Sequence, residues 1–227
     1  MANDVEILGE LEHDALTEII NIGVNRAAAN LRKMIGDQVH LSVPSIDIVT
    51  QRRAARLISE REITELIAVR QDFSGPFSGR AMLIFPESNS LELVRAATGG
   101  ALTLEEMLDM EHEALAETGN IILNSCLATM ANMLQRSMTM TIPQIIRGTG
   151  NVLFEVDDNS AADGLVLFLY IDFVVRKRDI RGYIAMMMGI PSLVMLRDLL
   201  VEFIARVIGD DALPPATKSG DRDEPRA

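Results

Sequence analysis

Two stretches of this chain carry acidic and carboxamide residues in the same order and at the same spacing. They are Asp14, Glu18, Asn21 and Asn25 in the first stretch, and Glu113, Glu117, Asn120 and Asn124 in the second. Each member of the second set follows its counterpart by 99 residues, so the two sets match without insertion or deletion. Carboxylates bind cationic side chains strongly, and carboxamides both donate and accept hydrogen bonds. The duplicated set therefore indicates a recognition or reaction surface.

The spacing of four, three and four residues places each set on one face of an α-helix. A solvated helix face would explain any single member, but such faces favour lysine, glutamate and arginine. Asparagine costs about half a kcal/mol relative to alanine inside a helix, yet it occupies two matched positions in each copy. We therefore interpret both sets as functional. Positions 14, 18, 21 and 25 are called the first stripe, and positions 113, 117, 120 and 124 the second stripe.

The helices and strands that must position the stripes are also written twice. Apolar periodicity and turn residues predict, in each copy, a long helix, a strand with one proline, a strand pair and a closing helix. In the first copy these are residues 10–35, 39–49, 64–73 with 79–85, and 86–98. In the second copy they are residues 104–138, 139–147, 165–176 with 182–188, and 191–209. Residues 51–61 are predicted to form a short helix or a loop, and residues 148–164 a loop region.

This order predicts an α+β fold with a mostly antiparallel sheet and an approximate two-fold axis between the halves. Small details also recur, such as Asp72-Phe73 and Asp172-Phe173. Pro44 and Pro143 each lie inside a predicted strand, which favours a sheet edge or a bulge because proline cannot donate to the ladder. Neither half can bury its apolar faces alone. We expect one domain at residues 1–209, made of repeats 10–100 and 109–209, and a disordered tail at residues 210–227.

Composition excludes several classes of protein. The net charge of -12 argues against a nucleic-acid partner, which would need a clustered basic surface. The acidic N-terminus lacks the layout of a signal peptide. The longest apolar stretch, residues 183–196, is too short for membrane insertion. A single cysteine, Cys126, cannot build a disulfide framework and is expected to pack as a small hydrophobe. A cytoplasmic protein is expected.

A metal site is not favoured by the sequence. Glu10 and His13 fit the Glu-x-x-His spacing that di-iron bundles use, and Asp109 stands at the matching position before His112. The histidines are adjacent to the stripes in sequence, which turns them away from the stripe face. Phosphate-binding glycine loops, nucleophile elbows and zinc spacings are also missing from the sequence.

The pattern Asp-x3-Glu-x2-Asn, with a proline 23 residues after the asparagine, resembles the motif of the CheC family. That group, with CheX and FliY, contains phosphatases of the chemotaxis response regulator CheY. The resemblance covers residues 10 to about 209 and rests on the duplication of a short motif with matching spacers. It implies a CheC-like, pseudo-two-fold duplicated fold whose two long helices bear the motifs. It also implies hydrolysis of an aspartyl phosphate on a CheY-type response regulator.

Carried over by position, the resemblance assigns the catalytic pairs Glu18 with Asn21 and Glu117 with Asn120. The asparagines would orient the attacking water, and the glutamates would pair with a lysine of the regulator. The remaining stripe residues, which would bind the partner, are Asp14, Asn25, Glu113 and Asn124. Glu113 departs from the aspartate or serine that is usual in the family at that position. No cofactor of its own is implied, since Mg²⁺ is held in the regulator's active site.

The main alternative is a non-catalytic binding module that recognises a phosphorylated receiver. The middle domain of the flagellar switch protein FliM has this fold by family resemblance and is not a phosphatase. The intact glutamate-asparagine pair in both halves favours the enzyme. The family also implies regulation of the receptor deamidase CheD, which is compatible with phosphatase activity. The sequence does not specify which receiver domain docks, because receiver domains share the same aspartyl-phosphate site.

Overall fold

A computed structural model describes residues 7–36, 38–97, 103–156, 164–175 and 178–211. The helices are α1 (Glu10–Ile35), α2 (Gln51–Arg61), α3 (Glu87–Ala97), α4 (Leu104–Met133), α5 (Gly150–Leu153) and α6 (Ile190–Asp211). The strands are β1 (Val39–Thr50), β2 (Leu66–Ser74), β3 (Gly79–Pro86), β4 (Thr139–Met140), β5 (Gln144–Gly148), β6 (Leu165–Val175) and β7 (Arg178–Met188).

The strands of both halves form one antiparallel sheet. Its order is β1-β6-β7-β3-β2-β4, and β5 also pairs with β2. In the duplication, β1 corresponds to β4 and β5, β2 to β6, and β3 to β7. The sheet order is therefore symmetric about a centre between β3 and β7. Strand β1 pairs with β6 of the other half, and β5 likewise pairs with β2 across the halves. This exchange of strands joins the two copies into a single sheet, as the pseudo-two-fold prediction requires.

The sheet separates two apolar clusters, because successive strand residues point to opposite faces. On one face, α1, α4 and α6 pack on a large cluster that includes Ile67, Val69 and Leu169. On the other face, α2 and α5 cover a smaller cluster with Ala68 and Phe168. The stripe-bearing helices α1 and α4 therefore lie side by side on the same layer, and they make extensive contact with each other.

The expectations for Pro44 are confirmed. Strand β1 lies at the edge of the sheet, and its register with β6 shifts between Ser42 and Ser45. The shift is a bulge around the proline, which removes one donor from the ladder. Helix α1 has the predicted bounds and ends at Gly36, whose φ of 70° is the left-handed conformation that glycine adopts without strain.

The second repeat is more irregular than predicted. Helix α4 ends at Met133 rather than at residue 138, because Gln135 adopts a positive φ of 54°. The strand predicted at residues 139–147 is divided into β4 and β5, with Pro143 in the interruption. Residues 148–164 contain the short helix α5, and β7 begins at Arg178, before the predicted position 182.

The final helix, α6, continues to Asp211 and so includes the first two residues of the segment predicted as a tail. Residues 212–227, like Gly99, Gly100 and residues 157–163, lie outside the described residues. Among the described residues, no helix is long and apolar enough to cross a membrane.

Candidate functional site

Both stripes lie at the surface of the helical layer. The first-stripe residues Asp14, Glu18 and Asn25 are exposed, and so are Glu113 and Glu117 of the second stripe. Asn21 and the matching Asn120 are half-buried in α1 and α4. Each glutamate therefore stands one helical turn before a half-buried carboxamide. Within the part of the chain that the structure describes, none of the four carboxylates has an ion-pair partner.

The two stripe helices approach each other closely at Gly23. A β-carbon on Gly23 would lie 2.9 Å from Cα of Cys126 and 3.4 Å from the carbonyl oxygen of Ser125. Only a glycine allows the backbone of α4 to come this near. Cys126 is fully buried at this crossing, and burial raises the pKa of its thiol to about 12. It packs as a small hydrophobe, as predicted, and stays protonated.

The N-terminal part of each helix is held by a polar contact that precedes the stripe. In α1, Nε2 of His13 lies 3.1 Å from the carbonyl oxygen of Ile46. In α4, the carboxylate of Glu111 accepts from Ser90 Oγ and from Arg147, both at 2.5 Å. The residues before the stripes are therefore structural anchors. Among the described residues, no group of three or more possible metal ligands comes together.

Asn120 is the centre of a small hydrogen-bond network. Its Oδ1 accepts from Nε2 of Gln71 at 3.2 Å and from Nδ2 of Asn124 at 2.5 Å. The same Nε2 of Gln71 donates to the carbonyl oxygen of Thr141 at 2.9 Å. Asn124 therefore positions its neighbour, a contact that the sequence analysis did not foresee for a residue assigned to partner binding.

These contacts determine which way the Asn120 carboxamide points. The carbonyl of Thr141 can only accept, so the atom of Gln71 that faces it must be the amide nitrogen. That nitrogen also faces Asn120, so Asn120 must present its oxygen to Gln71. The Nδ2 group of Asn120 then has no acceptor among the residues that the structure describes, and its N–H bonds are available for a ligand.

A close approach of α4 to the sheet makes this network possible. A β-carbon on Gly119 would lie 2.4 Å from Cγ1 of Val69, so no side chain fits between the helix and β2. Gly119 precedes Asn120 directly, and Gln71 is two residues from Val69 on the same face of β2. The absent side chain brings the two carboxamides within hydrogen-bond distance.

The first stripe has different surroundings. The recurring Asp-Phe pair at residues 72–73 and 172–173 aligns Gln71 with Ile171, which is buried and apolar. Ile20 stands where the second copy has Gly119. Asn21 and Asn25 have no side-chain hydrogen bond to any described residue. The two stripes differ in residue type only at Asp14 and Glu113. Among the residues that the structure describes, a polar side chain supports the asparagine only in the second half.

Comparison with known proteins finds similar sequences. A family model described as "Chemotaxis phosphatase CheX" matches residues 67–168, which contain Gln71 and the second stripe. FliY of Bacillus subtilis, a flagellar motor switch phosphatase, is 23% identical over 144 residues, or 63% of this chain and 37% of that protein. CheC1 of Halobacterium salinarum, provisionally described as a CheY-P phosphatase, is 22% identical over 137 residues. The match covers 60% of this chain and 68% of that protein. The chain is therefore similar in sequence to proteins of the CheC, CheX and FliY type.

Solved structures show the same fold. FliY of Thermotoga maritima superposes with a TM-score of 0.67 at 16% identity, covering 86% of this chain and 98% of that one. The middle domain of FliM from H. pylori has a TM-score of 0.58 at 9% identity, covering 85% and 99%. The α+β, pseudo-two-fold fold predicted from the motif is thereby confirmed. At these identities the likeness shows the fold alone, and a fold does not assign catalysis to this chain.

The residue that sequence reasoning missed is Gln71. The inward-facing positions of β2 are Ile67, Val69, Gln71 and Phe73, and only Gln71 is polar. It is 1% exposed, and its Oε1 has no partner among the described residues. Burying an unpaired acceptor costs stability, and natural proteins tolerate such costs mainly where function requires them. A glutamine in the apolar register of a strand was the available signal.

Proposed function

We propose that this protein hydrolyses the aspartyl phosphate of a CheY-type response regulator. The observation that carries the proposal is that, on each stripe, an exposed glutamate with no ion pair among the described residues is followed three positions later by a half-buried asparagine. A sparse surface of this kind suits an acyl phosphate, which is already reactive. The regulator would supply Mg²⁺ for the developing charge, so the phosphatase needs only to place a water molecule.

In this proposal the asparagines orient the attacking water. The free Nδ2 of Asn120 would donate to the water oxygen and direct its remaining lone pair toward phosphorus. The new bond joins that oxygen to phosphorus, while the bond from phosphorus to the aspartyl oxygen breaks. The products are inorganic phosphate, which carries the protons of the water, and the free aspartate carboxylate. Asn21 would act in the same way on the first stripe.

The glutamates would determine how the regulator docks. Glu18 and Glu117 are exposed and free of intramolecular ion pairs among the described residues, so each carboxylate is available to a lysine of the regulator. Such a contact fixes orientation and increases the rate of encounter. Asp14, Asn25 and Glu113 extend the same surface and would contact the partner, whereas Asn124 supports Asn120. Nothing in the comparisons bears on CheD, which stays a prediction.

A charge exchange tests the docking contact. Replacing Glu18 and Glu117 together by lysine is expected to abolish acceleration of receiver dephosphorylation, because lysine would then face lysine. A matching lysine-to-glutamate change in the receiver, near its phosphorylation site, is expected to restore a large part of the acceleration. Steady-state dephosphorylation rates in Mg²⁺ buffer measure both effects. A Glu18→Lys, Glu117→Lys protein with undiminished activity would contradict the proposed contact.

A binding module without catalysis is the second candidate. The likeness to the FliM middle domain supports it, since that protein shares the fold. The paired carboxylates and carboxamides would then recognise a phosphorylated receiver without hydrolysing it. Receiver binding with an unchanged lifetime of the phosphoryl group is the result that would favour this reading.

A further inference from the structure

The two stripes differ in what lies beneath their asparagines. Gln71 fixes the oxygen of Asn120 through a nitrogen that is itself held by the carbonyl of Thr141. Thr141 is in turn bound to β2, because its backbone N–H donates to the carbonyl of Asp72 and its hydroxyl accepts from the backbone N–H of Asp72, both at 2.9 Å. The support of Asn120 therefore reaches back into the hydrogen-bonded sheet.

The first stripe lacks the glutamine and the glycine of this support. Ile171 replaces the glutamine, and Ile20 replaces the glycine that lets the helix approach the strand. Asn21 is only half-buried and makes no side-chain hydrogen bond with a described residue. Its carboxamide can rotate, and a rotating donor must be ordered during each catalytic event. A donor that is already oriented avoids that loss of entropy.

We infer that Gln71 is a positioning residue for Asn120 and that it makes the second stripe the faster of two unequal sites. This inference rests on the proposed phosphatase function. Gln71 is buried beneath α4 and cannot touch the substrate, so its effect passes through the orientation of Asn120. The substrate class is the one already proposed, a receiver domain with an aspartyl phosphate. The two copies of the motif would then hydrolyse the phosphate at different rates, with the second stripe faster than the first.

The sites can be separated by removing one asparagine at a time. The Asn21→Ala protein retains the second site, and the Asn120→Ala protein retains the first. In the Asn21→Ala background, Gln71→Met is expected to lower kcat by about tenfold or more, with KM unchanged because Glu117 still docks the receiver. In the Asn120→Ala background the same change is expected to have no effect. Methionine is close to glutamine in length and lacks the carboxamide.

Two kinetic outcomes would overturn the inference. Gln71→Met could leave kcat unchanged in the Asn21→Ala background, or it could lower activity equally in both backgrounds, which would mean a general loss of structure. Failure of the proposed function looks different, because the unmodified chain would then not accelerate decay at all. In that event the side-chain amide resonance of Asn120 still decides the positioning role. Gln71→Met should change the chemical shift of the Asn120 side-chain amide and leave that of the Asn21 side-chain amide unchanged. An unshifted Asn120 resonance would refute the contact.

Discussion

Replacing Asn21 and Asn120 together by alanine is expected to return the decay of a phosphorylated receiver to its intrinsic rate. Each asparagine is a half-buried carboxamide three residues after an exposed glutamate that has no ion pair among the described residues. Removing one well-placed carboxamide donor in an enzyme typically lowers kcat by about 10²–10³-fold. With both removed, each stripe loses the carboxamide that stands three residues after its docking glutamate. Receiver dephosphorylation, followed with the variant and with the unmodified chain, measures the loss.

A matched control for this double variant is Asn132→Ala. Asn132 is an exposed asparagine on α4, outside the stripe, so its removal should leave the rate unchanged. The double variant should also keep its helical circular dichroism and a cooperative unfolding transition, because alanine is the better helix former. Retained acceleration in a folded Asn21→Ala, Asn120→Ala protein would show that the asparagines are not the catalytic groups.

The second large effect is expected from Gly119→Ala. Inside a helix this change normally stabilises a protein by about 1 kcal/mol. Here the new β-carbon would lie 2.4 Å from Cγ1 and 2.5 Å from Cβ of Val69, a residue whose branched side chain cannot rotate away. Overpacking of this kind costs about 1–3 kcal/mol. The helix must move from β2, and Asn120 should lose its contact with Gln71.

Gly209→Ala provides the control, since Gly209 is also in a helix and a β-carbon there would meet nothing within 4 Å. We expect Gly209→Ala to be neutral or slightly stabilising, and Gly119→Ala to lower both the midpoint of urea unfolding and the activity that remains in the Asn21→Ala background. Equal unfolding midpoints for the two variants would contradict the close packing of α4 on β2.

Much of the fold follows from the duplication in the sequence. Two copies of the order helix, strand, strand pair and helix cannot each bury an apolar face alone, so they must share a sheet, and the structure shows that sheet. Pro44 predicted an edge position or a bulge, because a residue without an N–H fits only a few places in a sheet, and β1 has both features. The position of each stripe on one helical face followed from residue spacing alone.

The end of α4 and the division of the following strand could not be predicted from the duplication. The residues after Met133 continue the apolar pattern of α4, yet the chain leaves the helix at Gln135, whose φ of 54° is left-handed. Pro143 was placed within a single strand, whereas the structure divides that strand in two. The apolar periodicity of α4 does not show where the helix must end for β4 and β5 to pair with β2.

The contact between Gln71 and Asn120 was beyond prediction for a different reason. The two residues are 49 positions apart and belong to different halves of the duplication. The stripes differ in residue type only at Asp14 and Glu113, and their sequences leave open whether the two sites are equally active. The difference in support of the asparagines arises from Gly119 and Gln71, which are not stripe residues and whose pairing depends on how α4 sits on β2.

The most direct test of the central claim is phosphate release from a phosphorylated CheY-type receiver in Mg²⁺ buffer, with this chain present at one-tenth of the receiver concentration. A phosphatase turns over, so the account predicts release of many equivalents of phosphate per chain at a rate well above intrinsic decay. Release at the intrinsic rate, in a mixture where binding of the receiver is measurable, would contradict catalysis and identify the stripes as a recognition surface.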